Sequence, residues 1–169
     1  MAGLLLRLAA IGTDMFQKTI KKQASISGIG LHTGRVVNLN FIPADADHGI
    51  KFKRIDLADQ TVIAADVNKV ASTNRGTTLS QGVASVHTIE HVLAALTGLG
   101  IDNVLIEVDG PEIPILDGSS SPFIQVLEEA GIEDQEIAKD YFVVTEPISF
   151  RDELTGSELI ALPADHYEV

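Results

Sequence analysis

Two histidines and a carboxylate stand together at the start of an apolar run, in the segment His87-Thr88-Ile89-Glu90-His91. A neutral imidazole is the commonest nitrogen ligand of zinc. A neighbouring carboxylate can take a proton from a metal-bound water, because the metal lowers the pKa of that water to about 7. Residue types at this spacing are therefore typical of metal-assisted hydrolysis.

The same five residues are open to more than one interpretation. In the H-x-x-E-H order, His87 and His91 would both bind zinc from one helical face, with Glu90 as general base. That arrangement needs His87 inside the helix. Thr88, however, is a natural N-cap, and capping there would leave His87 outside the first turn. The third interpretation is an ordinary amphipathic helix with polar residues at its exposed start.

The apolar residues around Glu90 determine how these side chains would be held. They recur at helical intervals and predict a helix with one buried face: Ile89, Val92, Leu93 and Leu96. Gly98 and Gly100 are the residues that would end it. Glu90 and His91 then lie in the first turn.

A hairpin is predicted immediately before the helix. Ser80-Gln81-Gly82 has the composition of a turn, and residues 83–86 form the return strand that leads into the helix. Such a hairpin would place Thr77 and Thr78 near the metal.

Earlier in the chain, three runs with alternating or β-branched character predict an antiparallel meander, at residues 19–26, 36–41 and 50–54. Between the first two runs, Gly28, Gly30 and Gly34 predict a tight turn that carries His32. The spacing does not fit a dinucleotide-binding fingerprint, and we assign His32 no chemistry.

After the helix, residues 103–108 predict a buried strand and residues 109–117 an irregular stretch, whose acids Asp109, Glu112 and Asp117 we assign to turns and structure. Ser121 and Pro122 predict the start of a second helix that ends at Gly131. An acidic linker over 133–140 and strands at 141–145 and 157–162 follow. The fold class is α+β, a two-layer sandwich of one mostly antiparallel sheet covered by two helices.

Composition limits the possible partners. The formal charge of −12 and the isoelectric point of about 4.6 argue against nucleic acid and anionic membranes as partners. The absence of cysteine leaves only His, Asp and Glu as metal ligands and fits a reducing cytoplasm. Residues 1–14 are apolar but too short for a transmembrane segment, and we interpret them as an added leader or an upstream start, with a small interaction helix as the alternative.

Two longer blocks carry a resemblance to a known family. Residues 88–103 and 111–120 closely resemble the UDP-3-O-acyl-N-acetylglucosamine deacetylases, the zinc enzymes of lipid A biosynthesis. Residues 28–34 and 77–79 add to the resemblance, which extends from about Phe16 to Val169.

The resemblance implies roles for individual residues. Glu90 matches the glutamate that activates a zinc-bound water, and His91 matches the one zinc ligand of the family's N-terminal half. Thr77 and Thr78 match positions that line the substrate cleft. His87 falls where the family does not require histidine, which argues against the H-x-x-E-H site.

The resemblance also implies that the active site is incomplete in this sequence. The family has two α+β domains of similar topology with zinc between them, and residues 15–169 would be the first. In the family, the remaining zinc ligands and catalytic groups come from a C-terminal domain. The expected partners of residues 15–169 are therefore this C-terminal domain and the substrate, a nucleotide-sugar lipid that loses acetate. We expect the chain alone to be inactive; the alternatives are a self-contained H-x-x-E-H metallohydrolase and a non-catalytic assembly module.

Overall fold

The computed structural model describes residues 16–165, which fall into two compact units, Phe16–Ala138 and residues 139–165. The first unit contains both helices, α1 (Glu90–Leu99) and α2 (Ser121–Ala130). Its strands, in chain order, are β1 (Phe16–Ile20), β2 (Ala24–Ile29), β3 (Val36–Pro43), β4 (Ile50–Arg54), β5 (Val62–Ala64), β6 (Val70–Ser72), β7 (Thr78–Gln81), β8 (Ala84–His87), β9 (Val104–Val108) and β10 (Ile132–Ala138).

The main sheet has five strands in the order β2-β3-β9-β4-β5. The predicted meander is wrong, because β9 inserts between β3 and β4 and runs parallel to β4. The inner face of β9 explains its central place: Val104, Ile106 and Val108 are all completely buried. Such buried strands are typical of the middle of a sheet, and chain order does not reveal which strands become their neighbours.

Two further corrections concern the ends of the first unit. The run at 19–26 is not one strand, since β1 and β2 belong to different sheets. The acidic stretch at 133–140 is not a linker, because β10 pairs with β1, for example Ile20 with Ile132. Its charged side chains are exposed while its backbone is paired, so polar composition does not exclude an edge strand.

Both helices pack into the same apolar core as the main sheet. Helix α1 buries Val92, Ala95 and Leu96, and α2 buries Phe123, Leu127 and Ala130. Gly100 ends α1 in a left-handed conformation and Gly131 follows α2, as predicted. Gly98, the other residue predicted to end α1, lies inside the helix. The N-cap of α2 is Ser120, one residue before the predicted one. The α+β class is confirmed, although several mostly antiparallel sheets replace the single predicted sheet.

The second unit contains a hairpin of β11 (Ile148–Arg151) and β12 (Glu158–Ala161). Strand β12 confirms the run predicted at 157–162, but residues 141–145 are irregular and β11 was not predicted. Both strands expose their apolar side chains, including Phe150 and Leu159. Residues 1–14 lie outside the described part of the chain. Neither helix of residues 16–165 combines the length and the apolar character that a membrane span requires.

Candidate active site

Helix α1 begins without a side-chain cap. It starts at Glu90, and its N-cap is Ile89, whose side chain has no hydrogen-bonding atom. Thr88 is therefore not the N-cap, contrary to the prediction. Its backbone has a left-handed φ of 60°, and its hydroxyl donates to Glu112 Oε1 at 3.1 Å.

His87 does not share a helical face with His91. It is the last residue of β8, and its Nδ1 lies 2.8 Å from Thr78 Oγ1. Its Nε2 lies 3.2 Å from Ser85 Oγ. The H-x-x-E-H arrangement, which needs both histidines on one helix, is therefore wrong, and the expectation that His87 lies outside the first turn is confirmed.

Glu90 is exposed, and its carboxylate is held by the preceding hairpin. The Thr77 backbone N–H donates to Glu90 Oε1, and the Thr88 N–H donates to the Thr77 carbonyl at 3.0 Å. Burial works to raise the pKa of Glu90, but the hydrogen bonds from Thr77 and the nearby His91 outweigh it and hold the pKa below its usual value. Glu90 is thus ionised at neutral pH and open to solvent on one side.

His91 is half-buried beside Glu90 in the first turn. Within residues 16–165, no three His, Cys, Asp or Glu side chains are grouped so that they could hold a metal ion. A catalytic zinc normally has three protein ligands. No such group of three is present in this part of the chain, and the zinc-binding role of His91 stays a prediction.

The two threonines predicted to bind substrate differ in their surroundings. Thr77 presents its backbone to Glu90, as described above. Thr78 is buried in β7, and its hydroxyl contacts the His87 ring. Thr78 also lines a cavity of about 250 Å³ with His32 and Arg75, whose carbonyl lies 3.2 Å from His32 Nε2. Their substrate-binding role stays a prediction.

Glu112 has a structural role that the sequence only partly indicated. It is completely buried and accepts hydrogen bonds from the backbone N–H groups of His32 at 2.9 Å and Thr33 at 2.8 Å. The glycine-rich turn approaches so closely that a Cβ at Gly30 would lie 2.5 Å from Glu112 Oε2. The sequence contains two signals for this contact: Glu112 lies between two buried segments, and Gly30 has no side chain that would block it. Nothing in the sequence, however, shows that Glu112 and Gly30 lie next to each other.

Of the other two acids of that stretch, Asp117 makes a turn contact, whereas Asp109 bonds to strand β3. Asp117 accepts the Ser119 backbone N–H at 2.9 Å, which confirms a turn. Asp109 accepts hydrogen bonds from the backbone and side chain of Asn38, at 2.7 and 2.6 Å. Neither lies in the first turn of α1 with Glu90.

Comparison with known proteins agrees with the resemblance. A family model described as LpxC, UDP-3-O-acyl N-acetylglycosamine deacetylase, matches residues 17–169. The chain is 44% identical over 155 residues to the UDP-3-O-acyl-N-acetylglucosamine deacetylase of Citrifermentans bemidjiense, which covers 92% of this chain and 50% of the relative. It is 48% identical over 153 residues to the bifunctional enzyme LpxC/FabZ of Bacteroides thetaiotaomicron, covering 90% of this chain and 33% of the relative.

The match to the family model takes in both helices and all the site residues described above. The chain spans about half the length of the single-function relative and about a third of the bifunctional one. Because the family model covers nearly the whole sequence, the chain belongs to the LpxC family of UDP-3-O-acyl N-acetylglycosamine deacetylases.

Proposed function

We propose that this chain supplies the N-terminal part of the active site of a zinc-dependent deacetylase. The enzyme removes acetate from UDP-3-O-(3-hydroxyacyl)-N-acetylglucosamine in the cytoplasm, as a step of lipid A biosynthesis. The observation that carries the proposal is the first turn of α1, where an ionised, exposed Glu90 is held by the Thr77 amide beside His91. The names of the relatives supply the substrate class.

In this proposal, Glu90 is the proton acceptor. Its carboxylate is ionised at pH 7, and one oxygen is anchored by the Thr77 N–H, so the other can face the attacking water. His91 would be the zinc ligand from this chain, and the chemistry that zinc supplies when bound is polarisation of the amide carbonyl and activation of water. Glu90 would then take a proton from the attacking water.

The two-domain organisation is part of the proposal. Residues 15–169 would form the first domain, and the missing zinc ligands would come from the part of the relatives that this chain does not match. Since His91 is the one ligand assigned here, we expect the isolated chain to bind zinc weakly and to be inactive. Thr77 and Thr78 would line the cleft in the assembled enzyme.

The test is a chimera in which residues 1–169 replace the matching half of the Citrifermentans bemidjiense relative. We expect it to bind zinc and to release acetate from the acylated nucleotide sugar. Glu90→Gln should keep zinc but lose at least about 100-fold in rate, because general base catalysis contributes about 10²–10⁴-fold. His91→Ala should lose both the bound zinc and the activity.

Glu129→Gln is the matched control, since Glu129 is an exposed glutamate on the other helix. A folded, zinc-loaded chimera that releases no acetate would refute the proposal. So would equal rates for the parent chimera and Glu90→Gln.

A further inference from the structure

A carboxylate that the reaction does not use is buried beneath the start of the catalytic helix. The backbone around Glu112 is clamped to the end of β8, because His87 N–H donates to the Pro111 carbonyl at 2.9 Å and Ile113 N–H donates to the His87 carbonyl at 3.0 Å. The Glu112 side chain is completely excluded from solvent. Its position is therefore fixed both by its own backbone and by its surroundings.

The donors that reach this carboxylate come from two separate segments. His32 and Thr33, in the glycine-rich turn, donate their backbone N–H groups, and Thr88, two residues before α1, donates its hydroxyl. All three donors are neutral. Glu112 thus joins the turn to Thr88, and hydrogen bonds of this kind to an ionised acceptor are about twice as strong as those between neutral groups.

Thr88 needs such support because its backbone conformation is unfavourable. A φ of 60° is a left-handed conformation that β-branched residues seldom adopt. Residues held in this way persist only where their surroundings fix them. Here the Thr88 hydroxyl is fixed by Glu112, and the Thr88 N–H is fixed by the Thr77 carbonyl.

Thr77 carries the connection to the catalytic carboxylate. Its carbonyl accepts from Thr88, and its N–H donates to Glu90 Oε1. The side chain of the N-cap residue Ile89 makes no capping hydrogen bond, so the contacts of Thr77 fix the start of the helix instead. Continuous hydrogen bonds therefore run from Glu112 through Thr88 and Thr77 to Glu90.

We propose that Glu112 is a positioning residue for Glu90, acting through Thr88 and Thr77 to set the direction of the catalytic carboxylate. The inference deepens the proposed function, because the direction of Glu90 matters for deacetylation in the assembled enzyme. Its test measures hydrogen bonds in the chain of residues 1–169 and needs no turnover. The outcome is therefore independent of whether the chain belongs to an active deacetylase.

The experiment measures the amide resonance and the hydrogen exchange of Thr77 by NMR. Glu112→Gln keeps the side-chain volume but places an amide NH₂ where only acceptors fit, so at least one of the three hydrogen bonds is lost. Thr88→Val removes only the hydroxyl that reaches Glu112. Glu90→Ala gives the resonance of a Thr77 amide that has lost its carboxylate partner.

Thr19→Val is the matched control for Thr88→Val. Thr19 is also buried, with 4% exposure against 6% for Thr88, and its hydroxyl also donates a hydrogen bond, to the Asn103 carbonyl at 2.7 Å. It has no hydrogen bond to Glu112, Thr77 or Glu90. Exchange rates in each variant are corrected for the global stability measured by urea unfolding.

We expect Glu112→Gln and Thr88→Val to move the Thr77 resonance towards its position in Glu90→Ala. Hydrogen exchange at the Thr77 amide should accelerate about tenfold in both variants, because roughly one hydrogen bond is lost. Thr19→Val should leave the exchange rate of Thr77 unchanged. The proposal is overturned if the Thr77 amide stays at its parental position in Thr88→Val while only His32 and Thr33 respond to Glu112→Gln. If Glu112→Gln does not fold, Thr88→Val decides between these outcomes alone.

Discussion

Gly30→Ala tests how tightly the Glu112 carboxylate is held. An alanine Cβ at this position would lie 2.5 Å from Glu112 Oε2 and 2.5 Å from Thr33 Oγ1. Thr33 is exposed and its side chain can move away, but Glu112 is completely buried and has no room to retreat. The added methyl group must therefore displace the carboxylate from one or two of its donors.

The expected loss of stability follows from those hydrogen bonds. Hydrogen bonds to a charged group contribute about 1.5–3 kcal/mol each. Alanine also has less backbone freedom than glycine in the unfolded chain, which offsets about 0.4–1 kcal/mol of this loss of stability. We therefore expect Gly30→Ala to lower the free energy of unfolding by about 2 kcal/mol, which corresponds to a decrease of about 1 M in the urea midpoint for a typical urea dependence.

Gly98→Ala is the matched control, because it makes the same substitution where space is free. Gly98 lies in α1, and apart from its chain neighbours and the backbone of the helix itself, no heavy atom comes within 4 Å of an added Cβ. Since alanine is the better helix residue, this variant should be more stable than the parent by up to about 1 kcal/mol. A Gly30→Ala chain that unfolds at or above the parental urea midpoint, with Gly98→Ala stabilised as expected, would refute the reasoning.

Three further predictions concern the polar core and the metal. Asn103→Ala should destabilise the chain by about 2–4 kcal/mol in urea unfolding, because buried Asn103 accepts the Gly49 N–H at 2.7 Å and donates to two glutamine side chains. The hydrogen bonds to Glu112 outweigh its burial and keep its pKa below the usual value, so the ionised carboxylate stabilises the fold above about pH 4.5 and this contribution is lost as the pH falls through the folded pKa. The urea midpoint should therefore fall less steeply between pH 6 and pH 3 in Glu112→Gln than in the parent chain. Equal slopes would contradict this. After zinc loading and dialysis, the isolated chain should retain far less than one zinc per chain, and stoichiometric retention would mean that a site is completed without a second domain.

The local elements near the site were predictable because their signals are local. The spacing of Val92 and Leu96 and the glycine at 100 determine α1, and Gly82 marks the turn between β7 and β8. Glu90 and His91 lie in the first turn as expected. These features depend on residues a few positions apart, which a pattern of side chains records directly.

Features that depend on contacts between distant segments were not predictable. The insertion of β9 between β3 and β4 joins parts of the chain far apart in sequence, and β10 pairs with β1 in spite of its acidic composition. Thr88 has the residue type of an N-cap, but Glu112, 24 positions later, takes its hydroxyl. A tertiary contact of this kind overrides the local preference, and no local pattern announces it.

The β11–β12 hairpin bears on how the chain behaves in concentrated solution. Within the described residues the two strands pair only with each other, which makes each of them an edge strand of this sheet, and Phe150 and Leu159 are mostly exposed. Such edges are templates for pairing with another copy. The charge of −12 keeps copies apart at low ionic strength. Added salt screens that repulsion while it leaves the apolar edges unchanged, so self-association of this chain should increase with salt concentration.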